Sequence, residues 1–448
     1  MTSGISQRVS KRSSNVRPHD EVLREGSGTN QTVMPGWESR RWTIDGGLTS
    51  KPRRPPRGDV WPTFEQELLL DAGLRNGSEA RAAWVAWKRL RRDGEVDAAS
   101  THLLPLVYWN LRDTACRDPE LQALGSTYLV AWGKHTIRAH RLCEIVSILA
   151  SEGIRTLVFK GVALALQYYP DPATRVTGDI DVLIRREDAD RTLVILAKEG
   201  WVLSHNQGKL PVLKMLVGHC GVHLTGTNGN SLDLHWRGFF GAAEEKAYRA
   251  FWDRAVVIRR AASEIYTLGS ADQLLHACVH GLKWHAVPSC RWVADAVMIA
   301  RLEGATLDWG QLVQSAREHG VDLRVGRALA YVGSRFDSVI PDGVREALCV
   351  GGASLASRLE LEIVTHSPYV LGPLSAVAKA VVLYLRSEFR VSHKSRLVGF
   401  ACYLQERWAL RNPWLTPLCG IREALRALLR GAVHWSLKVA PRLRPRNH

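Results

Sequence analysis

The sequence predicts an α+β fold, with a short strand-rich core lying between two helical regions. Three observations predict it. Thr156 to Ile184 reads as strand, glycine turn, helix, loop, strand: an apolar run is followed by Lys160-Gly161, an apolar helical stretch, a Pro-rich turn and a second apolar run. Val222-His223-Leu224 and Ser231 to Trp236 flank the segment TGTNGN, and Asn-Gly between two extended runs signals a hairpin. On both sides, from Trp61 to about Ser151 and from residue 241 onward, apolar residues recur at helical spacing.

The elements follow in order. Residues 1–58 carry scattered Arg, Ser, Gly and Pro and end in KPRRPPRGD, the composition of a disordered basic tail. A transit peptide fits less well, because Asp20, Glu21 and Glu25 are present. Residues 59–152 form a helical region, with Leu103 to Leu111 as a buried helix and a long helix from about Leu121 to Glu152 that Gly153 stops. Residues 153–240 form the α/β core. After its second strand, Glu187 to Lys198 reads as a helix and Trp201 to Leu203 as a short strand. Residues 241–335 are helical, with an edge strand near Ile265 to Thr267 and a helix that starts where Ser270 caps it. Residues 336–448 hold basic amphipathic helices and end in RLRPRNH.

The chain has 448 residues, enough for several domains and a sizeable core. Its 60 Lys and Arg against 44 Asp and Glu give a net charge of +16. That balance suits phosphate-bearing partners or an anionic surface, and equally a basic tail with solvated arginines. Eight cysteines form no C-x-x-C pair, which excludes a zinc ribbon or a thioredoxin motif and indicates a reducing cytoplasm. The N-terminus has no apolar core of a secretory signal. No uncharged apolar stretch reaches the roughly 18 residues of a membrane span. The longest, Val370 to Leu385, is interrupted by Lys379.

The chemistry gathers on three acids. Strand side chains alternate, so Asp179 and Asp181 of the Asp-Ile-Asp triplet share one face. Two carboxylates about 4 Å apart repel by roughly 4 kcal/mol at an effective dielectric near 20. A hard divalent cation such as Mg²⁺ removes that penalty. Asp233, on the strand after the hairpin, completes a set of three of the kind that metal-assisted phosphoryl or nucleotidyl transfer uses. Lys160 and Gly161 sit at a strand-to-helix junction, where free amides and a positive dipole suit a phosphate. Arg175 can reach the same place, or pair with Asp179 or Asp181. His235 shares the face of Asp233 and either touches a phosphate, supports a metal ligand or makes a core hydrogen bond. Trp236 faces away. His276 and His280 have metal-binding spacing on one helical face, but packing is the better reading without an adjoining Glu. Asp295 caps its helix or pairs with Arg291.

Phe159-Lys160-Gly161, Tyr169-Pro170-Asp171-Pro172, Arg175, Asp179 to Ile184 and Asp233 to Arg237 together resemble the uncharacterised nucleotidyltransferase family of the polymerase-β-like superfamily. HACVHGLKW, RWVADAVMIA and the upstream LLPLVYWNL are in keeping with it, and the resemblance covers about 100–330, densest in 157–237. It implies a nucleotidyltransferase core at 153–240 with a mixed sheet flanked by helices, Mg²⁺ or Mn²⁺ as cofactor and a nucleoside triphosphate (NTP) as donor. Asp179, Asp181 and Asp233 are then the catalytic metal ligands, and Lys160, Gly161, Arg175 and His235 line the nucleotide site. Lys-Gly stands where the best-known members carry Gly-Ser, as in toxin-like members of abortive-infection systems. The acceptor stays open among a small molecule, a peptide or protein, and RNA. A non-catalytic protein that keeps this fold and binds nucleic acid or a membrane surface through its basic ends is the rival expectation.

Overall fold

A computed structural model describes residues 60–91, 95–115, 117–204, 220–238, 245–260, 263–336, 340–350, 354–366 and separate stretches between 378 and 422. The basic tail expected at 1–58 and the basic end beyond 422 lie outside the described residues, with most of the apolar stretch 370–385.

Strand alternation sets the architecture. The strands are β1 (Thr156–Val158), β2 (Ile180–Ile184), β3 (Val202–Leu203), β4 (Gly221–Thr225), β5 (Ser231–His235), β6 (Val256–Arg260) and β7 (Ser263–Thr267). They form one mixed seven-stranded sheet in the order β3-β4-β5-β2-β1-β7-β6. β2 runs parallel to β5, and β1 parallel to β7; the other pairs are antiparallel. Along β5, Leu232 and Leu234 are buried, while Ser231, Asp233 and His235 between them keep partial exposure. Along β2, Ile180, Val182 and Ile184 enter the same core as Leu232 and Leu234, and Leu183 enters a second core with Phe159. β1, β2 and β7 therefore divide their residues between two hydrophobic layers, whereas β4 and β5 bury one face and leave the other half-exposed, as a period of two allows.

One layer is closed by α5 (Pro119–Ser151) through Leu142, Ile145, Val146 and Leu149, and by α6 (Gly161–Tyr168) through Val162 and Ala163. Asp118 starts α5 by accepting from the amides of Glu120 and Leu121, ahead of Pro119 in the first turn. The other layer joins α1 (Phe64–Leu74), α2 (Gly77–Leu90) and α4 (Leu104–Leu111) to α9 (Ser270–Gly281), α10 (Arg291–Glu303), α11 (Trp309–Glu318) and α12 (Asp322–Arg335), numbering the helices of the described residues in chain order. The helical segments before and after the sheet thus share one core. Cross-ties fix them: Gln66 donates to the Pro288 carbonyl at 3.0 Å, and Arg301 to the Leu74 carbonyl at 2.6 Å.

The sheet departs from expectation in three places. Val256–Arg260 is a strand that helical spacing did not reveal, and it, not β7, forms the edge. The strand near Ile265 to Thr267 lies inside the sheet beside β1, so the sheet continues past residue 240. The hairpin loop is five residues, Gly226 to Asn230, with a short 3-10 turn at Thr227–Gly229; it is one residue shorter than the TGTNGN segment because Thr225 joins β4. Helix α9 is preceded by Gly269 at its cap position, not by a capping Ser270. Cys143, Cys220, Cys278, Cys290, Cys402 and Cys419 are free thiols, and among the described residues no helix is long and apolar enough to cross a membrane.

Candidate active site

The register of two parallel strands builds the site. Ile180 pairs with Leu232 and Asp181 with Asp233, so the two acids stand side by side on neighbouring strands. Two residues along β5, His235 rises from the same face. Ligand atoms of Asp181, Asp233 and His235 lie within 4.8 Å of one another. Sequence alternation placed Asp179 on the same strand as Asp181, but β2 begins at Ile180, so Asp179 sits on the loop before it and outside this tight group. Its charge still belongs to the site: burial, then the charges of Asp181 and Asp233, raise the Asp179 carboxyl above its ordinary value.

Lys160 closes the triangle. Its Nζ donates to Asp181 Oδ1 at 2.6 Å and lies 3.2 Å from His235 Nε2, which is itself 3.2 Å from Asp181 Oδ1. Asp181 is 3% exposed. Burial alone would raise its carboxyl, but the Lys160 ammonium and the His235 hydrogen bond outweigh burial and hold it well below the usual carboxylate range. His235 is held neutral by burial and then by the neighbouring ammonium. Its Nδ1 is buried without a hydrogen-bond partner among the described residues. Lys160 has φ +56°, in the region that favours glycine, and such strain at a lysine typically costs about 1–3 kcal/mol, a cost met where the side chain is needed.

Two glycines make room. A Cβ on Gly161 would sit 3.1 Å from Thr177 Cγ2 and 3.5 Å from Arg175 Nη1, so this glycine seats the 175–177 loop against the start of α6. On β4, Gly221 lies opposite His235. A Cβ there would overlap the Leu234 carbonyl oxygen and come within 3.0 Å of His235 Nδ1. Gly221→Ala is therefore expected to push the imidazole off Asp181 and to destabilise the chain by about 1–3 kcal/mol, read as a lower unfolding midpoint.

The structure gives two predicted residues other partners. Arg175 does not pair with Asp179 or Asp181. Its Nε and Nη2 grip Asp295 at 3.0 and 2.8 Å, and Tyr169 donates to the same carboxylate at 2.7 Å. Asp295 is thus held from α6's end of the fold and not by Arg291. His276 and His280 stack at 5.6 Å, and His276 Nε2 donates to the Gly238 carbonyl, as packing requires. Burial, then the Lys160 charge, lowers the His276 pKa from 6.5 to about 3. Between those values the unfolded chain binds the extra proton, so stability rises with pH across that window. The unfolding temperature is expected to drop as pH falls from about 6.5 toward 3, and less steeply in His276→Gln. Burial lowers His102, to about 4, in the same direction.

Residues that sequence reasoning passed over join the site. His223 stands opposite Asp233 in the β4–β5 register, with Nδ1 2.6 Å from Asp233 Oδ1 and Nε2 3.3 Å from the Ser231 hydroxyl. The observed hairpin register sets it there, since it pairs residue 223 with residue 233. Arg291 and Arg138 flank the loop before β2 by donating to the carbonyls of Val176 at 2.7 Å and Gly178 at 3.1 Å. Nothing local in the sequence marks either.

The donor set has the chemistry of a hard-cation site. Two carboxylates and one neutral imidazole converge, and the repulsion that raises Asp179 is what a divalent ion relieves. The residues present fit such an ion. A family model described as an uncharacterised nucleotidyltransferase matches residues 97–337, more than half of the chain. No curated protein matches it.

Proposed function

The chain belongs to the uncharacterised nucleotidyltransferase family, and from that premise we propose that it transfers a nucleoside monophosphate from an NTP to an acceptor hydroxyl and releases pyrophosphate. The observation that carries this reading is the Asp181–Asp233 register, which sets two acids and His235 beside Lys160 and the start of α6. Asp181, Asp233 and His235 would hold Mg²⁺ or Mn²⁺, with Asp179 alongside. Bound there, the ion supplies charge neutralisation and polarises the phosphate under attack.

The protein's own groups do the rest. Lys160 carries an ammonium that reaches the site from a fixed backbone, and the amides from Gly161 onward offer a phosphate their free N–H groups and the positive helix end. The acceptor oxygen bonds to the α-phosphorus as the bond to the pyrophosphate oxygen breaks. The acceptor's proton leaves toward Asp233, whose carboxylate His223 orients. Arg175 acts through the loop it anchors: with Asp295 it fixes the segment that carries Thr177 and Asp179. The cytoplasm suits a chain in which Cys143, Cys220, Cys278, Cys290, Cys402 and Cys419 are free thiols.

The test is transfer of labelled nucleotide from each of the four NTPs, with Mg²⁺ or Mn²⁺, into a cell extract and into the protein itself. A labelled product that needs the metal and disappears in Asp233→Asn is the expected result. No label in any product, together with no metal-dependent NTP binding by the wild-type chain, would overturn the reading.

A further inference from the structure

Buried or half-buried arginines in this protein mostly face carboxylates. Arg175 meets Asp295, Arg254 meets Asp272, Arg324 meets Glu360 and Arg335 meets Asp71. Arg138 and Arg291 do not. Both are half-buried, and among the described residues their guanidinium groups bond only to backbone carbonyls, those of Gly178 and Val176. They come from two helices, α5 and α10, and converge on one loop of three residues that leads into Asp179. Thr177, at the centre of that loop, is 5% exposed, and its hydroxyl is buried without a partner among the described residues.

The charges explain why such cations would be kept. Asp179, Asp181 and Asp233 gather three negative charges, which repel any anion that approaches. Lys160 is already engaged by Asp181. Burial lowers the pKa of each arginine, with Arg175 adding repulsion to Arg291; Arg138 feels the charge of Asp179, and Arg291 feels Asp295 more than Asp179, in each case without an ion pair among the described residues. A guanidinium held by one N–H to a carbonyl keeps its remaining donors in a fixed fork, the geometry that matches two phosphate oxygens. A half-buried cation with no anionic partner is expensive in the free protein and gains most when a phosphate arrives.

We propose that Arg138 and Arg291 form a phosphate clamp over the Val176–Gly178 loop, with the Thr177 hydroxyl as a further donor. The clamp rests on the nucleotidyl-transfer reading only for the origin of the phosphate, which is either the β,γ-end of the donor or a phosphate carried by the acceptor. A donor clamp implies that any NTP is gripped regardless of base. An acceptor clamp implies that the accepting hydroxyl compound is itself a phosphate ester.

Titration calorimetry on the full chain decides it, with pyrophosphate, inorganic phosphate and each NTP as probes. Arg138→Gln and Arg291→Gln are each expected to weaken pyrophosphate binding about tenfold or more, as loss of one charge-assisted hydrogen bond does. Arg291→Lys keeps a donor for Val176 and serves as the folded control, with an intermediate affinity. If NTP affinity falls in step, the donor is the source. If pyrophosphate binding falls while NTP affinity holds, the acceptor is the source. Pyrophosphate affinity within twofold of wild type in both glutamine variants overturns the clamp, even where nucleotide transfer persists. Loss of pyrophosphate binding in a chain that transfers no nucleotide keeps the clamp and removes the proposed reaction instead.

Discussion

Asp181→Asn is expected to lower nucleotidyl transfer about a thousandfold, because an ion's contribution of several kcal/mol to the transition state is lost at about 1.4 kcal/mol per factor of ten. Asparagine preserves shape and still accepts a hydrogen bond from Lys160, so the chain should stay folded. What it removes is charge at the point where the ammonium and the imidazole both converge, 2.6 and 3.2 Å away. Asp181→Ala would do more damage to the fold, since it takes from the Lys160 ammonium, 15% exposed, the carboxylate it pairs with among the described residues. The pair of variants separates chemistry from stability: Asn should lose transfer at a near-native unfolding midpoint, and Ala should lose both. Transfer by Asp181→Asn within tenfold of wild type would show that this carboxylate is structural. Asp179→Asn is expected to have a smaller effect, because Asp179 lies on the loop and outside the tight group formed by Asp181, Asp233 and His235.

The difference between those two acids shows what a sequence can and cannot disclose. Alternation correctly put Asp181 on the face opposite Ile180, because a strand's period is fixed by backbone geometry. It did not fix where the strand began, and one residue at that boundary moves Asp179 from sheet to loop. The hairpin was legible from Asn-Gly and from the flanking apolar runs, and with it the approach of Asp233 to the first two strands. The partner of Asp233 across the hairpin, His223, follows from register once the loop length is known. Thr225 joins β4, which leaves five loop residues in place of the six of TGTNGN, and that one residue decides which side chain faces Asp233. The strand Val256–Arg260 was hidden because it follows a helix directly and carries two arginines at its end. The contacts of Arg138 and Arg291 with the loop were hidden for a plainer reason. The two arginines reach the loop at 176–178 from 40 and 115 residues away, and no local pattern encodes such contacts. Lys160 was recognised as a cation at a helix start, but its strained backbone and its grip on Asp181 emerged only when β1 and β2 were aligned.

The same limit hid the largest structural dependence. Asp295→Ala is expected to cost about 3–5 kcal/mol of stability, the usual result of removing one partner from a buried ion pair. Arg175 and Asp295 are 10% and 5% exposed in their side chains, and the pair is bidentate. Tyr169 donates to the same carboxylate, so one acid on α10 holds the end of α6 and the loop that leads to Asp179. Without it, a buried guanidinium loses its only carboxylate among the described residues, and the Tyr169 hydroxyl loses its acceptor. Tyr169→Phe should cost far less, about 1 kcal/mol for a single hydrogen bond with the charges left intact. The double variant Arg175→Met/Asp295→Leu should recover much of the loss, since matched apolar side chains avoid the desolvation that the ions suffer. Denaturant midpoints of the four chains form the measurement. If Asp295→Ala unfolds within 1 kcal/mol of wild type, taking that figure as the size of one hydrogen bond, the pair is not what fixes the loop. If the double variant regains stability but not nucleotide transfer, the ions are kept for the position they impose on Thr177 and Asp179, and the stability they contribute is incidental to that role.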